Sequence, residues 1–188
     1  MKDLPRRLSE AARLWIEAGG GQLPVAGTSM QPTFEDRSRV WMERVDRVRF
    51  GDVVVFLNDE LLVVHRVVGL RRGACYRTKG DGLAHLDPGF VSAANVLGRV
   101  VEIERDGSRR RCDGGGGRLY ATLAGLLSAV EGFFYRFAYR LDRILTPPWH
   151  SEARHGGRTT LRRWLRGCGR LGFRILDRLL FDSLNKAR

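Results

Sequence analysis

The chain has 188 residues, 43% hydrophobic and 29% charged. These are the proportions of a folded globular protein, and they exclude wholesale disorder, a collagen-like chain and a polytopic membrane protein. The formal charge of +12 is unevenly placed, with a net +3 on residues 1–117 and a net +9 on residues 118–188. A basic excess at one end points to phosphate-bearing partners, either lipid head groups or nucleic acid.

In chain order, Leu4, Ala11, Leu14, Trp15 and Ala18 recur at helical spacing and Gly19-Gly20-Gly21 follows, which predicts a short amphipathic helix within an N-terminal segment 1–23. From Pro24 to Cys112 the pattern turns to short β-rich runs at 38–43, 52–57, 61–70, 74–79 and 96–105, separated by Gly, Asn or Asp. The run VVVFLNDELLVVHRVV reads as a hairpin closing at Asn58-Asp59-Glu60. Residues 24–112 are therefore expected to form a mainly β core. Four consecutive glycines at 114–117, opened by Asp113, read as a linker (113–117), because neither helix nor strand interiors accommodate such a run cheaply. Beyond it, two amphipathic helices are predicted at 118–145 and 158–184, divided by Thr146-Pro147-Pro148. In the second, Leu161, Leu165, Cys168, Leu171, Ile175 and Leu179 alternate with Arg162, Arg166, Arg170, Arg174 and Arg178.

The N-terminus is charged where a secretory signal needs an apolar run. The longest uncharged apolar stretch near the C-terminus, Leu119 to Val130, has 12 residues, short of the roughly 20 that span a bilayer. The expectation is a cytoplasmic protein, or one held peripherally on the cytoplasmic membrane. Three cysteines at wide spacing, Cys75, Cys112 and Cys168, suggest neither a disulfide framework nor zinc, and His85, His150 and His155 are scattered. No metal and no cofactor are expected.

Four short signatures occur in order in the β-rich region: GTSMQPTF (27–34), FGDVVVF (50–56), LLVVHRVVG (61–69) and YRTKGDGLAHLD (76–87). Together they resemble the S24/S26 serine peptidases, and within them the type I signal peptidases that use histidine as base, the archaeal, endoplasmic-reticulum and spore-former type. The resemblance covers roughly residues 10–105. It implies a β-rich catalytic core, a Ser nucleophile at Ser29 and cleavage of an extended leader or signal-like peptide.

Chemistry supports the same residues. A serine hydroxyl is a poor nucleophile at neutral pH until a base takes its proton, and the turn Gly27 to Pro32 can expose Ser29 to a peptide carbonyl. The position before Arg66-Val67-Val68, lysine in most bacterial members, is His65. The three lysines are Lys2, Lys79 and Lys186, two of them terminal, so a Ser-Lys dyad lacks a candidate. Imidazoles titrate near pH 6.5 and accept a proton at pH 7 without deep desolvation. Two carboxylates can orient such a base, Asp81 and Asp87. The resemblance favours Asp87 as the third triad member and Asp81 as the alternative acid. The family's Asn-Asn after Gly-Asp is replaced here by Gly82-Leu83.

The backbone N–H of Ser29 is the expected oxyanion donor. Gly27 stands where relatives carry an extra hydroxyl, leaving Thr28 as the nearest substitute. Asp52 reads as a turn carboxylate. A second class of function, a non-catalytic or self-cleaving regulatory binder built on the same core, is disfavoured by the missing lysine and by the short segment preceding the core. The C-terminal helices suit an anionic membrane surface. Nucleic acid is not an expected partner, because the arginine stripe lacks aromatic platforms on its face.

Overall fold

Val53, Val54, Val55 and Phe56 are all buried, as a strand must be when both faces of its sheet are covered. In this computed structural model, which describes residues 21–59, 61–105, 107–112, 115–145, 167, 171–176 and 178–179, that strand lies inside an antiparallel sheet of eight. The strands are β1 (Gly21–Pro24), β2 (Arg39–Glu43), β3 (Val53–Asn58), β4 (Leu61–Arg71), β5 (Cys75–Lys79), β6 (Val91–Ser92), β7 (Val96–Arg105) and β8 (Ser108–Arg111). Their order is β1-β2-β7-β3-β4-β5-β6, with β8 pairing β7 off this path. One long helix, α1 (Gly115–Leu145), follows the sheet, and residues 171–176 are helical as well.

The alternation of strand side chains divides the core in two. Val53, Val55 and Val64 face Tyr120 and Ala124 of α1, along with Phe173, while Val54, Phe56 and Val67 pack on the opposite face with Val48 and Tyr76. Neighbouring residues of β4 therefore enter different environments, and His65 and Arg66 point to opposite sides of the sheet.

The strands expected at 38–43, 52–57, 61–70, 74–79 and 96–105 all form, within a residue or two at their ends. The β3–β4 hairpin closes as read, Asn58 pairing with Leu61. Three short strands carry no clear periodic signal. Of these, β1 includes Gly21, read as a helix stop, yet Gly21–Pro24 pair with Met42–Arg39. The β-unit thus takes in residues that the sequence pattern assigned to the N-terminal segment; the predicted helix at 4–18 lies outside the described residues.

The expected linker is also modified. Helix α1 begins at Gly115, inside the glycine run. The first turn has no intrahelical partners for its N–H groups, and it tolerates glycine better than an interior does. Gly117 is held so closely that a Cβ there would lie 2.7 Å from the carbonyl carbon of Cys112. Of the second helix, predicted at 158–184, the described part is helical at 167 and 171–176 and π-helical at 178–179, and the rest lies outside the described residues. Among those residues no helix is long and apolar enough to cross a membrane.

Candidate active site

His65 sits on β4 with its ring on the side away from α1, edge-on to Phe56 with centroids 6.4 Å apart. Its Nδ1 lies 2.7 Å from Oδ2 of Asp87. A carboxylate only accepts, so this contact puts the imidazole proton on Nδ1 and leaves Nε2 as the basic nitrogen. Asp87 is held in turn by its own backbone N–H, which donates to Thr78 O at 3.0 Å. Burial by itself would raise the Asp87 pKa; the hydrogen bond and charge of His65 overcome that and hold it below the ordinary carboxylate value. The pair is shielded without being sealed, with side-chain exposures of 10% for His65 and 16% for Asp87.

Ser29 reaches the same place from the 25–38 loop. Its carbonyl accepts the N–H of Gly82 at 2.7 Å, which ties the Ser29 turn to the Gly80–Leu83 loop. Gly80 stands between the two candidate groups. A Cβ built there would lie 2.5 Å from Ser29 O and 3.0 Å from His65 Nε2, so only glycine fits, and the Ser29 carbonyl and the free nitrogen of His65 both border it. Ser29 itself is half-buried, and Gly27 and Thr28 before it are exposed. Asp36 accepts the N–H of Gly27 at 2.7 Å and braces the turn, where Gly27 adopts φ 100°. A cavity of about 150 Å³ opens beside the dyad, lined by His65, Asp87, Phe56, Pro88, Phe90 and Asn95 among others.

Asp81, the alternative acid, has a different employment on the other face of the sheet. Its carboxylate accepts from Arg66 Nε at 2.9 Å and from the second terminal nitrogen at 2.6 Å, from Thr33 Oγ1 at 2.6 Å and from Ser128 Oγ at 3.0 Å. Arg66 also donates to Gly51 O at 2.9 Å. Burial would raise the Asp81 pKa, but the charge and hydrogen bonds of Arg66 hold it below the ordinary range. Arg66 is raised in its turn because Asp81 outweighs its own desolvation. Asp52 is a turn carboxylate: it accepts the Arg49 N–H at 2.7 Å and pairs with Arg118 of α1.

Three participants escaped the sequence reading. Lys79, fully buried, meets Glu131 of α1 at 2.8 Å and donates to Gly80 O at 3.3 Å. Burial raises the Glu131 pKa, with Lys79 opposing. Ser128, also on α1, bonds Asp81. The available signal was the pattern VVHRVV followed by TKGD. Two neighbouring strands cannot bury Arg66 and Lys79 unless anions meet them, and Glu131 interrupts an apolar helix. His85 packs on Tyr135 with centroids 6.1 Å apart; His150 and His155 lie outside the described residues. Among the described residues no three His, Cys, Asp or Glu side chains gather as a metal site, and Cys75 and Cys112 make no disulfide.

A scan against models of known protein families finds no match to this chain, and a search of curated proteins finds none either.

Proposed function

We propose that the protein is a serine endopeptidase of the signal peptidase I type, with Ser29 as nucleophile, His65 as general base and acid, and Asp87 orienting His65. The observation that carries this reading is the 2.7 Å bond between His65 Nδ1 and Asp87, which leaves Nε2 free beside Gly80, the glycine that the Ser29 carbonyl also borders. The four motifs supply the family resemblance, and the eight-stranded antiparallel sheet is compatible with the β-rich core that it implies.

The reaction runs as acyl transfer. Ser29 Oγ gives its proton to His65 Nε2 and bonds to the scissile carbonyl carbon, and the resulting oxyanion is met by the Ser29 N–H. His65 then returns the proton to the leaving amine as the C–N bond breaks, giving an ester on Ser29. Water attacks this ester by the same route in reverse, releasing the new carboxylate and regenerating the hydroxyl. Asp87 stays ionised throughout and stabilises the transient imidazolium. The substrate is an extended leader or signal-like peptide laid as an added strand along an exposed backbone edge. The enzyme works in the cytoplasm or on the inner membrane surface.

The test is covalent labelling with an active-site fluorophosphonate, followed by intact mass. Wild type gains one adduct, and Ser29→Ala gains none; equal labelling of the two removes the peptidase reading in favour of a peptide-binding scaffold.

A further inference from the structure

Helix α1 has two apolar faces, and the sheet uses one of them. Tyr120, Ala124, Ser128 and Glu131 recur at intervals of four, four and three residues and are buried against the core. Leu126, Val130, Phe133, Phe137 and Leu141 recur at the same helical spacing on the other side and are exposed. Phe133, Phe134 and Phe137 are 64%, 54% and 53% exposed. Their rings pack on one another, Phe133 stacked on Phe137 at 6.4 Å and edge-on to Phe134 at 5.9 Å, so they make a continuous patch. Isolated surface aromatics need no explanation; a contiguous cluster on a helix that has already buried its core face does.

We propose that this outward face of α1 docks on an anionic lipid bilayer, with the helix lying in the plane of the interface. The charges choose the occupant. Arg136 and Arg140 are exposed and sit roughly 100° and roughly 60° round the helix from the centre of the apolar stripe, along one edge of it. This is where cations meet head groups once the stripe enters the acyl boundary. The pattern repeats in the neighbouring stretch, where Leu171, Ile175 and Leu179 are exposed alongside Arg174 and Arg178. A Cβ on Gly172 would lie 3.0 Å from Leu127 of α1, so this stretch packs on the same helix.

A second copy of the chain would set cation against cation, since residues 118–188 carry a net +9. An anionic bilayer complements both features. The inward side of the same helix borders the candidate site: Gly132 packs on Leu86 and Tyr135 on His85, one and two residues from Asp87. Docking is independent of whether Ser29 is a nucleophile.

The experiment is flotation of the full chain with vesicles of phosphatidylcholine alone or mixed with phosphatidylglycerol. The protein should float with the mixed vesicles only. Binding should weaken as salt rises from about 0.1 M to about 1 M and the Debye length shrinks from about 10 Å to about 3 Å. Phe133→Ser and Phe137→Ser should each lower the partition coefficient about tenfold, and Arg136→Gln and Arg140→Gln about fivefold each. All four positions are exposed, so the urea transition should stay at the wild-type midpoint; if a Phe variant fails this check, the arginine pair carries the test. The proposal is overturned if the protein does not float, if flotation is unchanged by the replacements, or if it sediments as a dimer that the Phe variants dissolve.

Discussion

Replacing each of the two carboxylates in turn separates fold from chemistry. In Asp81→Asn the anion is lost while Arg66, 1% exposed, stays buried and charged. Asp81 meets Arg66 through Nε and a terminal nitrogen and also accepts from Thr33 and Ser128. Breaking such a pair on one side costs about 3–5 kcal/mol, a large share of the 5–15 kcal/mol that domains typically hold. With a urea m-value of about 2 kcal/mol/M, the midpoint should fall by about 2 M. Removing both partners in Arg66→Met/Asp81→Leu should recover most of that loss, because no uncompensated charge remains. Asp87→Asn disturbs one bond at a half-buried position and should cost about 1 kcal/mol. Its effect falls on turnover: an amide at that point no longer fixes the imidazole tautomer, and kcat should drop by about 10²- to 10⁴-fold. Urea denaturation and peptide cleavage are measured on the same preparations. If Asp81→Asn unfolds like wild type but is inactive, while Asp87→Asn turns over normally, the division of labour argued here is wrong.

How far the sequence carried this reading depends on the range of the forces involved. Strands β2, β3, β4, β5 and β7 announce themselves because β-branched runs bounded by turn residues are local signals. Strands β1, β6 and β8 are four, two and four residues long and exist because a longer neighbour offers them an edge, which no local pattern encodes. The same distinction applies within the site. Ser29, His65 and Asp87 could be named because their residue types belong to one chemistry, and spacing along β4 puts His65 on one face. That Asp81 belongs to Arg66 follows from the alternation that sends Arg66 to the other face, but only once β4 is known to have α1 on that side. Ser128 and Glu131 were hidden because a helix read as a detached basic tail has no reason to hold the partners of a buried strand lysine.

The remaining predictions follow from individual contacts. Gly80→Ala should lower kcat/KM at least about 100-fold, since the added methyl would displace Ser29 or His65 by a good fraction of an ångström; a variant with normal kinetics would show that the two groups do not meet across Gly80. Glu131→Gln puts a neutral isostere in place of a buried carboxylate whose charged form folding disfavours, so at neutral pH the urea midpoint should stay at or above the wild-type value. The acid dependence of stability should have two windows of opposite slope. The pKa values of Asp81 and Asp87 are lowered by folding, so their contribution is present above the unfolded value of about 3.9 and is lost as pH falls through their folded pKa values. Glu131 is raised, so the folded state binds its proton more readily; its contribution is full below the unfolded value of about 4.3 and is lost as pH rises through its folded pKa. Acidifying from neutrality should therefore first add Glu131's share and then, below about pH 4, remove the shares of the two aspartates. Urea midpoints measured between pH 3 and pH 7 for wild type and Glu131→Gln isolate the first window, because every other carboxylate is common to both chains. The difference in stability between them should narrow as the pH falls toward 4, because protonated Glu131 is as neutral as the glutamine. A constant difference across that range would mean that Glu131 titrates alike in the folded and unfolded chain, and that the Lys79–Glu131 pair does not sit in the dry environment between β5 and α1.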